Sequence, residues 1–547
     1  MNKLFVKKTV SCSIIMAMML FFSPLVFSQS EDDFLDPQLE EDFFETENTY
    51  INDAIQKNFT IILTEHNYDL NPHTAEYNAE AQILTGLYEG LFSYDPATLN
   101  PVPAIAKSYL ISRDKKRWTF TLRDDAYFSD GTKITAESVR ESWLSMLKNP
   151  RAPYSSLFEI VAGAKEFKNG TANENEVGIY AIEEYSLSVH LTNPAAHLIR
   201  LLCMPTFSVI SKNAHVYSGP FVLSDFSTKH IVLEKNPYYY DKENTHLEKI
   251  TFLLSNDDVE NSHLFNTGKA DWISSSVDLK KIILKSASHI SAEFATEYLF
   301  FKMRNSIWQN TKFRQALLEA VPWQELRANT FVPATTLVYP LNGYPKVQGY
   351  VYTDKIEAQS LMKATRKEAN IPEDEILELK IAISESERMK KHVEILKEAW
   401  SPLGVELTTV EIASINYLKE IAQTDADIFS YTWIGDFSDP LAFLELFKGN
   451  STLNVSNWNN NDFNRMLLEA ESLNDLQHLE RLSQAEQLLL DEAIIIPIQH
   501  PVSLNIIDLD AVGGWTTNAF DIHPLKYIYK KQTQCEVPHL AKKITKR

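Results

Sequence analysis

Hydrophobic and polar positions alternate in short blocks along most of the chain. Phe59-Thr60-Ile61-Ile62-Leu63 is a run of β-branched and apolar residues and predicts a strand, followed by a turn at Asn71-Pro72-His73. Apolar residues at Ile83, Leu84 and Leu87 recur at helical spacing and predict a helix from about Ala79 to Gly90. Trp118 to Arg123 alternates with a period of two, as a half-buried strand does, and leads to a turn at Asp130-Gly131-Thr132. Thr135 is placed to cap the next helix, with Glu137 where the helix dipole favours an anion. Pro220 to Leu223 and Ile231 to Glu234 read as a hairpin that leaves through Asn236-Pro237-Tyr238. Farther on, Phe313 to Leu326 and Met389 to Trp400 are amphipathic helices. The second is flanked by strands at Leu377 to Ser384 and Val405 to Val410, a β-α-β unit whose parallel pairing makes the fold class α/β. No internal repeat interrupts the pattern.

With 547 residues the chain is long enough for at least two compact domains. A formal charge of −21 argues against a nucleic-acid partner, since phosphate binding needs basic patches. The N-terminus sets the compartment. Lys3, Lys7 and Lys8 precede an apolar core at Ile14 to Phe22, and Val26-Phe27-Ser28 supplies a small-residue cleavage site, so residues 1–28 read as a secretory signal peptide. Its removal takes away three lysines and shifts the net charge to −24. No cysteine stands at the cleavage site, which predicts a protein without a lipid anchor in a periplasm. Residues 29–49 form an acidic leader, with nine acids and no base between Glu31 and Glu47, and are expected to be solvated and flexible. Cys203 and Cys535 remain in a compartment where disulfides form. They are a possible pair, the other reading being that Cys203, inside Leu201-Leu202-Cys203-Met204, is a buried small hydrophobe.

Catalytic signatures are not found. The sequence has no Gly-x-Ser-x-Gly, no His-Glu-x-x-His and no phosphate-cradling loop, and its 15 glycines leave few places for backbone to wrap a phosphate. His66 with His73 and His190 with His197 are spaced by seven, but each pair is broken by a proline turn, so neither predicts a metal site. Asp124-Asp125 and Asp257-Asp258 fall in predicted turns and read as solvated. The segment Asp427 to Pro440 is the most informative one. It begins as a strand, carries Trp433, Gly435 and Asp436 at its end, and closes in a Ser438-Asp439-Pro440 turn. A carboxylate beside an indole at a strand end suits a cation held in a partly desolvated pocket, while Ser438 or Asp439 suits the cap of the following helix.

The sequence resembles the periplasmic oligopeptide- and dipeptide-binding proteins of bacterial ABC importers, the extracellular solute-binding proteins of family 5. The motifs are Gly86-Leu87-Tyr88-Glu89-Gly90-Leu91, Trp118 to Arg123 with Phe128-Ser129-Asp130-Gly131-Thr132, Gly219 to Leu223 with Ile231 to Pro237, and Phe313-Arg314-Gln315-Ala316-Leu317. The resemblance implies a periplasmic-binding-protein-like fold: two lobes around a ligand cleft, a two-stranded hinge and an extra inserted domain. Lobe 1 would comprise residues 50–78, 200–300 and 500–547, the inserted domain residues 79–199, and lobe 2 residues 301–499. It implies that Asp436 holds the ligand's α-ammonium, that Trp433 and Thr432 line the same wall, and that Tyr154 and Trp515 close over the ligand. Positions aligned with the basic residues that meet a peptide's C-terminus are Ile421, Ser430 and Met389, so reading of the C-terminal carboxylate is not expected in the usual way.

The expected function is therefore capture of peptides for delivery to ABC permease subunits by a monomeric protein, with no cofactor, no metal and no chemical step. A receptor for a non-peptide solute such as a nickel complex, heme or a sugar, and a surface adhesin acting through the acidic leader, are the alternatives.

Overall fold

The computed structural model describes residues 57–531 apart from 196, 305, 342, 436, 438 and 474. The signal peptide, the acidic leader, Asp436 and Cys535 lie outside the described residues. Two large sheets dominate. The first has seven strands in the order Ser288–Ala292, Val502–Ile507, Trp272–Ser274, Asn58–Leu63, Lys249–Leu254, His230–Lys235, Phe221–Phe226. Asn58–Leu63 runs parallel to both neighbours, and the run Ile61-Ile62-Leu63 is buried on both faces, which accounts for its unbroken apolar character. The hairpin at 221–235 pairs antiparallel as expected, and Asn236 Oδ1 accepts from Tyr238 N at 3.0 Å to form its exit turn.

The second sheet has six strands in the order Val332–Pro333, Ile495–His500, Ala295–Phe301, Ile428–Ile434, Leu377–Ser384, Val405–Ile412. Its last two are parallel, with Leu377 opposite Val405, and are joined by the helix Glu387–Trp400, the β-α-β unit read from the sequence. A third sheet of four antiparallel strands, Ala106–Ile111, Arg117–Leu122, Ser186–His190 and Ile179–Glu183, belongs to the inserted region. The helix Ala136–Lys148 packs on it, with Thr135 Oγ1 accepting from Ser138 N at 3.3 Å as its cap.

The chain passes from the first large sheet to the second between Ala292 and Ala295, and returns between His500 and Val502. The two crossings lie side by side, since Glu293 N donates to Pro501 O at 3.1 Å. This is the topology of a two-stranded hinge between two lobes.

Several expectations shift. The helix expected over Phe313 to Leu326 is two, Thr311–Ala320 and Trp323–Leu326. Pro322 lacks an amide donor and pushes Val321 out of the helical region, to ψ 125°. The helix Asn78–Leu87, expected to open the inserted domain, packs on the seven-stranded sheet. A Cβ on its Gly86 would meet Leu233 and Leu525 at 3.0 and 2.8 Å. Ala295–Phe301, expected in lobe 1, is a central strand of the six-stranded sheet, so the division falls at the crossing rather than near residue 300. Asp257 is not merely solvated: Oδ1 accepts from Val259 N and Glu260 N and caps the helix Asp258–Asn266.

Candidate functional site

Parallel strands leave a crevice beyond their carboxyl ends, and here the ends of both large sheets face one cavity of about 780 Å³. From lobe 1 come Thr64, Glu65 and His66, directly after Asn58–Leu63, and Asn256, just after Lys249–Leu254. From lobe 2 come Ser384, Ser414 and the strand end Ser430 to Ile434. Tyr154 of the inserted region closes one side.

The lobe 2 wall is a strand with one free edge. Ile428–Ile434 pairs antiparallel with Ala295–Phe301 along its whole length, but its other neighbour, Leu377–Ser384, meets it only at Ile381 with Ile428 and Ala382 with Phe429. In an antiparallel pair alternate residues turn their backbone groups toward and away from the neighbour. Gly435 N donates to Phe294 O at 2.7 Å, so Tyr431 and Trp433 share that inward set, and Ser430, Thr432 and Ile434 point outward. The Ser430 carbonyl is taken by the Tyr417 hydroxyl at 2.8 Å. The outward amide and carbonyl groups of Thr432 and Ile434 have no strand neighbour among the described residues and run along the cavity. The Trp433 indole donates to Ala442 O at 2.6 Å, which fixes its ring, and Tyr154 stands 6.1 Å away, centroid to centroid. Deeper in the cavity the buried Glu297 carboxylate accepts from Arg388 and, at 2.6 Å, from Gln499 Nε2.

The lobe 1 wall is held by Glu80. Its buried carboxylate accepts from the backbone amides of Asp69 at 2.7 Å, Glu76 at 2.8 Å and Tyr77 at 3.1 Å, which draws the loop 69–77 against the helix Asn78–Leu87. This presents His66, Glu76 and Tyr77 to the cavity. The His66 ring lies between Tyr68 and Tyr77, at 3.8 and 4.7 Å. Burial pushes its pKa down to about 4, so it is neutral at physiological pH. Burial and the neighbouring Glu80 charge hold the Glu76 carboxyl above the usual carboxylate range, against Lys419 of the facing lobe.

At the rim the inserted region touches lobe 2 directly. Ser156 N donates to Thr452 Oγ1 at 3.3 Å, Thr452 Oγ1 donates to Pro153 O, and the Ser156 and Ser451 hydroxyls lie 3.0 Å apart. Asn450 Nδ2 donates to Glu159 Oε2 at 3.1 Å.

Of the residues singled out in the sequence, Thr432, Trp433 and Tyr154 line the one cavity. Trp515 does not. It is buried in the core of lobe 1, stacked on His523 at 4.5 Å and edge-on to Trp272 at 6.1 Å, because Gly514, at φ +75°, turns the chain back under the seven-stranded sheet. Asp436 lies outside the described residues. The carboxylate described beyond it, Asp439, accepts from Leu441 N at 2.9 Å in the turn that leads into the next helix, whose N-cap is Pro440, and meets His478 Nε2 at 3.0 Å. Cys203 is buried, with Sγ directed at the carbonyls of Ile199 and Ser93 at 3.4 and 3.5 Å. Ser430 and Met389 line the cavity, whereas Ile421 is a core residue. Sequence reading missed His66, Glu76, Tyr77, Glu297, Arg388 and Tyr417. For all but Glu297, which lies inside the strand Ala295–Phe301, the one available signal was position just beyond the carboxyl end of a strand or at the start of the helix that follows.

Residues 100–454 match the family model described as bacterial extracellular solute-binding proteins, family 5 middle. The periplasmic oligopeptide-binding protein OppA of Escherichia coli K12 is 26% identical over 480 residues, covering 82% of this chain and 87% of that protein. The probable deoxycholate-binding periplasmic protein YgiS of the same strain is 27% identical over 497 residues, covering 85% and 90%. Among solved structures, the murein tripeptide binding protein MppA of Escherichia coli superposes with a TM-score of 0.78 at 21% identity, covering 88% of this chain and 99% of that one. The unliganded open form of MppA gives 0.63 at 21% identity, covering 87% and 98%. With the family model spanning more than half of its length, the chain belongs to the bacterial extracellular solute-binding proteins of family 5.

Proposed function

We propose that this chain is a periplasmic receptor that captures peptides in the cavity between its lobes and hands them to the permease of an ABC importer, acting as a free monomer and without a chemical step. The free edge of the strand at Thr432 and Ile434 carries the reading. An extended ligand laid along it gains main-chain hydrogen bonds whatever its sequence, the mode of recognition in which backbone supplies affinity and pockets supply preference. Asp436, next after Gly435 in the sequence, is then the carboxylate for the ligand's ammonium, and Trp433 and Tyr154 line the cavity that would hold the ligand. The oligopeptide-binding relative supports the peptide, and the sequence of residues 1–28 supports export. The test is calorimetry with one peptide in free and N-acetylated form on wild type and Asp436→Ala. Stranding one partner of a buried charge pair costs about 2 to 5 kcal/mol, roughly 30-fold to several thousand-fold in affinity, and the two losses should not add. Equal affinity of wild type for both peptides would remove the assignment.

A second reading has one observation in its favour. The cavity is walled by Tyr77, Tyr154, Tyr417, Tyr431 and Trp433, a surface that also suits a rigid amphipathic solute, and one relative is named for deoxycholate. Such a ligand cannot lie along Thr432 and Ile434 as an added strand, so direct titration with deoxycholate and with peptide, each on ligand-free protein, separates the two by which of them binds.

A further inference from the structure

A strand laid on a free edge extends the sheet, and its successive side chains then fall on opposite faces of that sheet. The two faces differ where the strand Ile428–Ile434 meets the cavity. Tyr431 and Trp433 point to one of them, their rings stacked at 6.3 Å, and pack in a single apolar cluster with Tyr154 and Leu453, which also line the cavity. Thr432 points to the other. It pairs with Glu297, so the two share a face, and the Glu297 carboxylate accepts from Arg388 and Gln499. Arg388 comes from the helix Glu387–Trp400, which packs on this face through Met389 and Val393, in one cluster with Leu299, the partner of Ser430. The Glu297 side chain is 4% exposed and that of Arg388 48%, so the member of the pair presented to the cavity is the guanidinium. Glu297 meets it at Nη1, and its five donors leave room for a second acceptor.

Resting on the reading of this cavity as a peptide site, we propose that the ligand is selected by alternation: apolar side chains, aromatic ones best, at the two positions opposite Tyr431 and Trp433, and between them, opposite Thr432, a side chain that accepts hydrogen bonds, glutamate or glutamine. Residues directly opposite one another on paired strands share a face in parallel and antiparallel ladders alike, so the pattern is the same for either direction of the ligand. On the Trp433 face an aromatic ring buries apolar area and adds the pairing of ring against ring, whereas a charged side chain loses water there without a partner. On the Thr432 face an acceptor meets Arg388. A lysine ammonium only donates, and it approaches the guanidinium with like charge. The pattern belongs to the sheet and is the constant part of the preference; what the segment 64–77 displays across the cleft is added to it.

The experiment is calorimetry with alanine pentapeptides that carry a single phenylalanine, glutamate, glutamine or lysine at each position in turn, on ligand-free wild type, Tyr154→Ser and Arg388→Gln, each variant first shown to melt as wild type does. The termini are the same throughout, and the pull of an acidic protein on lysine is common to all positions, so comparing positions isolates the side-chain contacts. In wild type, phenylalanine should raise affinity by about two- to tenfold at two positions that are two residues apart, the scale of an aromatic pair. At the position between them phenylalanine should give no gain, and glutamate and glutamine should exceed lysine by about three- to tenfold, the scale of a partly exposed hydrogen bond to a charged group. Tyr154→Ser should shrink the phenylalanine gain and leave the glutamate margin, and Arg388→Gln should do the reverse. Phenylalanine gains at neighbouring positions or at none would overturn the alternation and leave the peptide receptor standing, as would lysine equal to glutamate at the middle position or a margin that survives Arg388→Gln. The period of two is read on wild type alone, so the test stands even where a variant does not fold. If no pentapeptide binds, the peptide reading falls and the alternation with it.

Discussion

Thr452→Val tests whether the rim contacts hold the cleft shut. The substitution keeps the shape of the side chain and removes the hydroxyl that donates to Pro153 O, accepts from Ser156 N and lies 3.0 Å from the Ser156 hydroxyl. A neutral hydrogen bond contributes about 0.5 to 1.5 kcal/mol net, and Thr452 is exposed, so the two bonds to backbone groups alone, at the lower half of that range, give about 1 to 2 kcal/mol. These bonds join the inserted region to lobe 2, on opposite sides of the crossings at 292–295 and 500–502. Opening about those crossings breaks them, so their free energy belongs to the closed state alone. A ligand that binds the closed state then pays the lost stabilisation in full, and its Kd should rise by roughly 5- to 30-fold. Calorimetry reads the Kd, and small-angle scattering of free and saturated protein reads the compaction. Ser156→Ala removes the hydroxyl that meets both Ser451 and Thr452 and should couple to Thr452→Val rather than add to it. A Kd within about twofold of wild type, with compaction unchanged, would show that these bonds persist in the open form or contribute nothing, and the closing role would be lost.

Glu486 is fully buried in lobe 2, where it accepts from Val338 N at 2.7 Å and the Tyr344 hydroxyl at 2.9 Å, and burial pushes its pKa up to about 7. The folded state therefore holds a proton that the unfolded state gives up, so stability falls as pH rises from about 4.5 to 7, by about 3 kcal/mol from this group, and Glu486→Gln should flatten that slope in denaturant titrations. Arg314, in the Phe313-Arg314-Gln315 motif, is buried and donates to Trp308 O at 2.7 Å, Gln309 O at 2.8 Å and Glu492 O at 2.7 Å. Arg314→Met strands those carbonyls and should cost about 3 to 5 kcal/mol in urea unfolding, with the helix Thr311–Ala320 losing its tie to residue 492. The Cys203 thiol is buried and its pKa is pushed up, so it should resist alkylation in the folded protein, and two free thiols counted after unfolding without reductant would exclude a bond to Cys535.

The parts of the fold that were legible in the sequence are those in which local pattern and tertiary role coincide. Leu377 to Ser384, Met389 to Trp400 and Val405 to Val410 form a β-α-β unit because each segment's period matches the face it buries, and a parallel pair needs a crossover of that length. The division between lobes was misplaced for the opposite reason. Ala295–Phe301 is buried along its whole length and reads as core in either lobe; only its pairing with Ile428–Ile434 and Ile495–His500, residues more than a hundred positions away, assigns it. Trp515 failed likewise. An indole after two glycines fits a cleft or a core equally, and the choice is made by His523 and Trp272.

The two walls of the cavity differ in how they are encoded, and that difference bears on specificity. The lobe 2 wall sits on one strand, so Thr432 and Trp433 were visible as a group, and what that wall offers, a free backbone edge, depends little on side-chain identity. The lobe 1 wall depends on Glu80, four residues beyond Glu76, folding its carboxylate back onto three amides of the loop 69–77. Without that clasp the segment Asp69 to Tyr77 is an ordinary polar turn, which is how it reads. A wall built by one buried carboxylate can change its displayed side chains without disturbing either sheet, whereas the strand edge cannot change without breaking its pairing to Ala295–Phe301. Preference is therefore expected to vary through positions such as His66 and Glu76. Exchanging the segment 64–77 with that of a relative should move ligand preference while leaving the melting temperature and the closing transition in place.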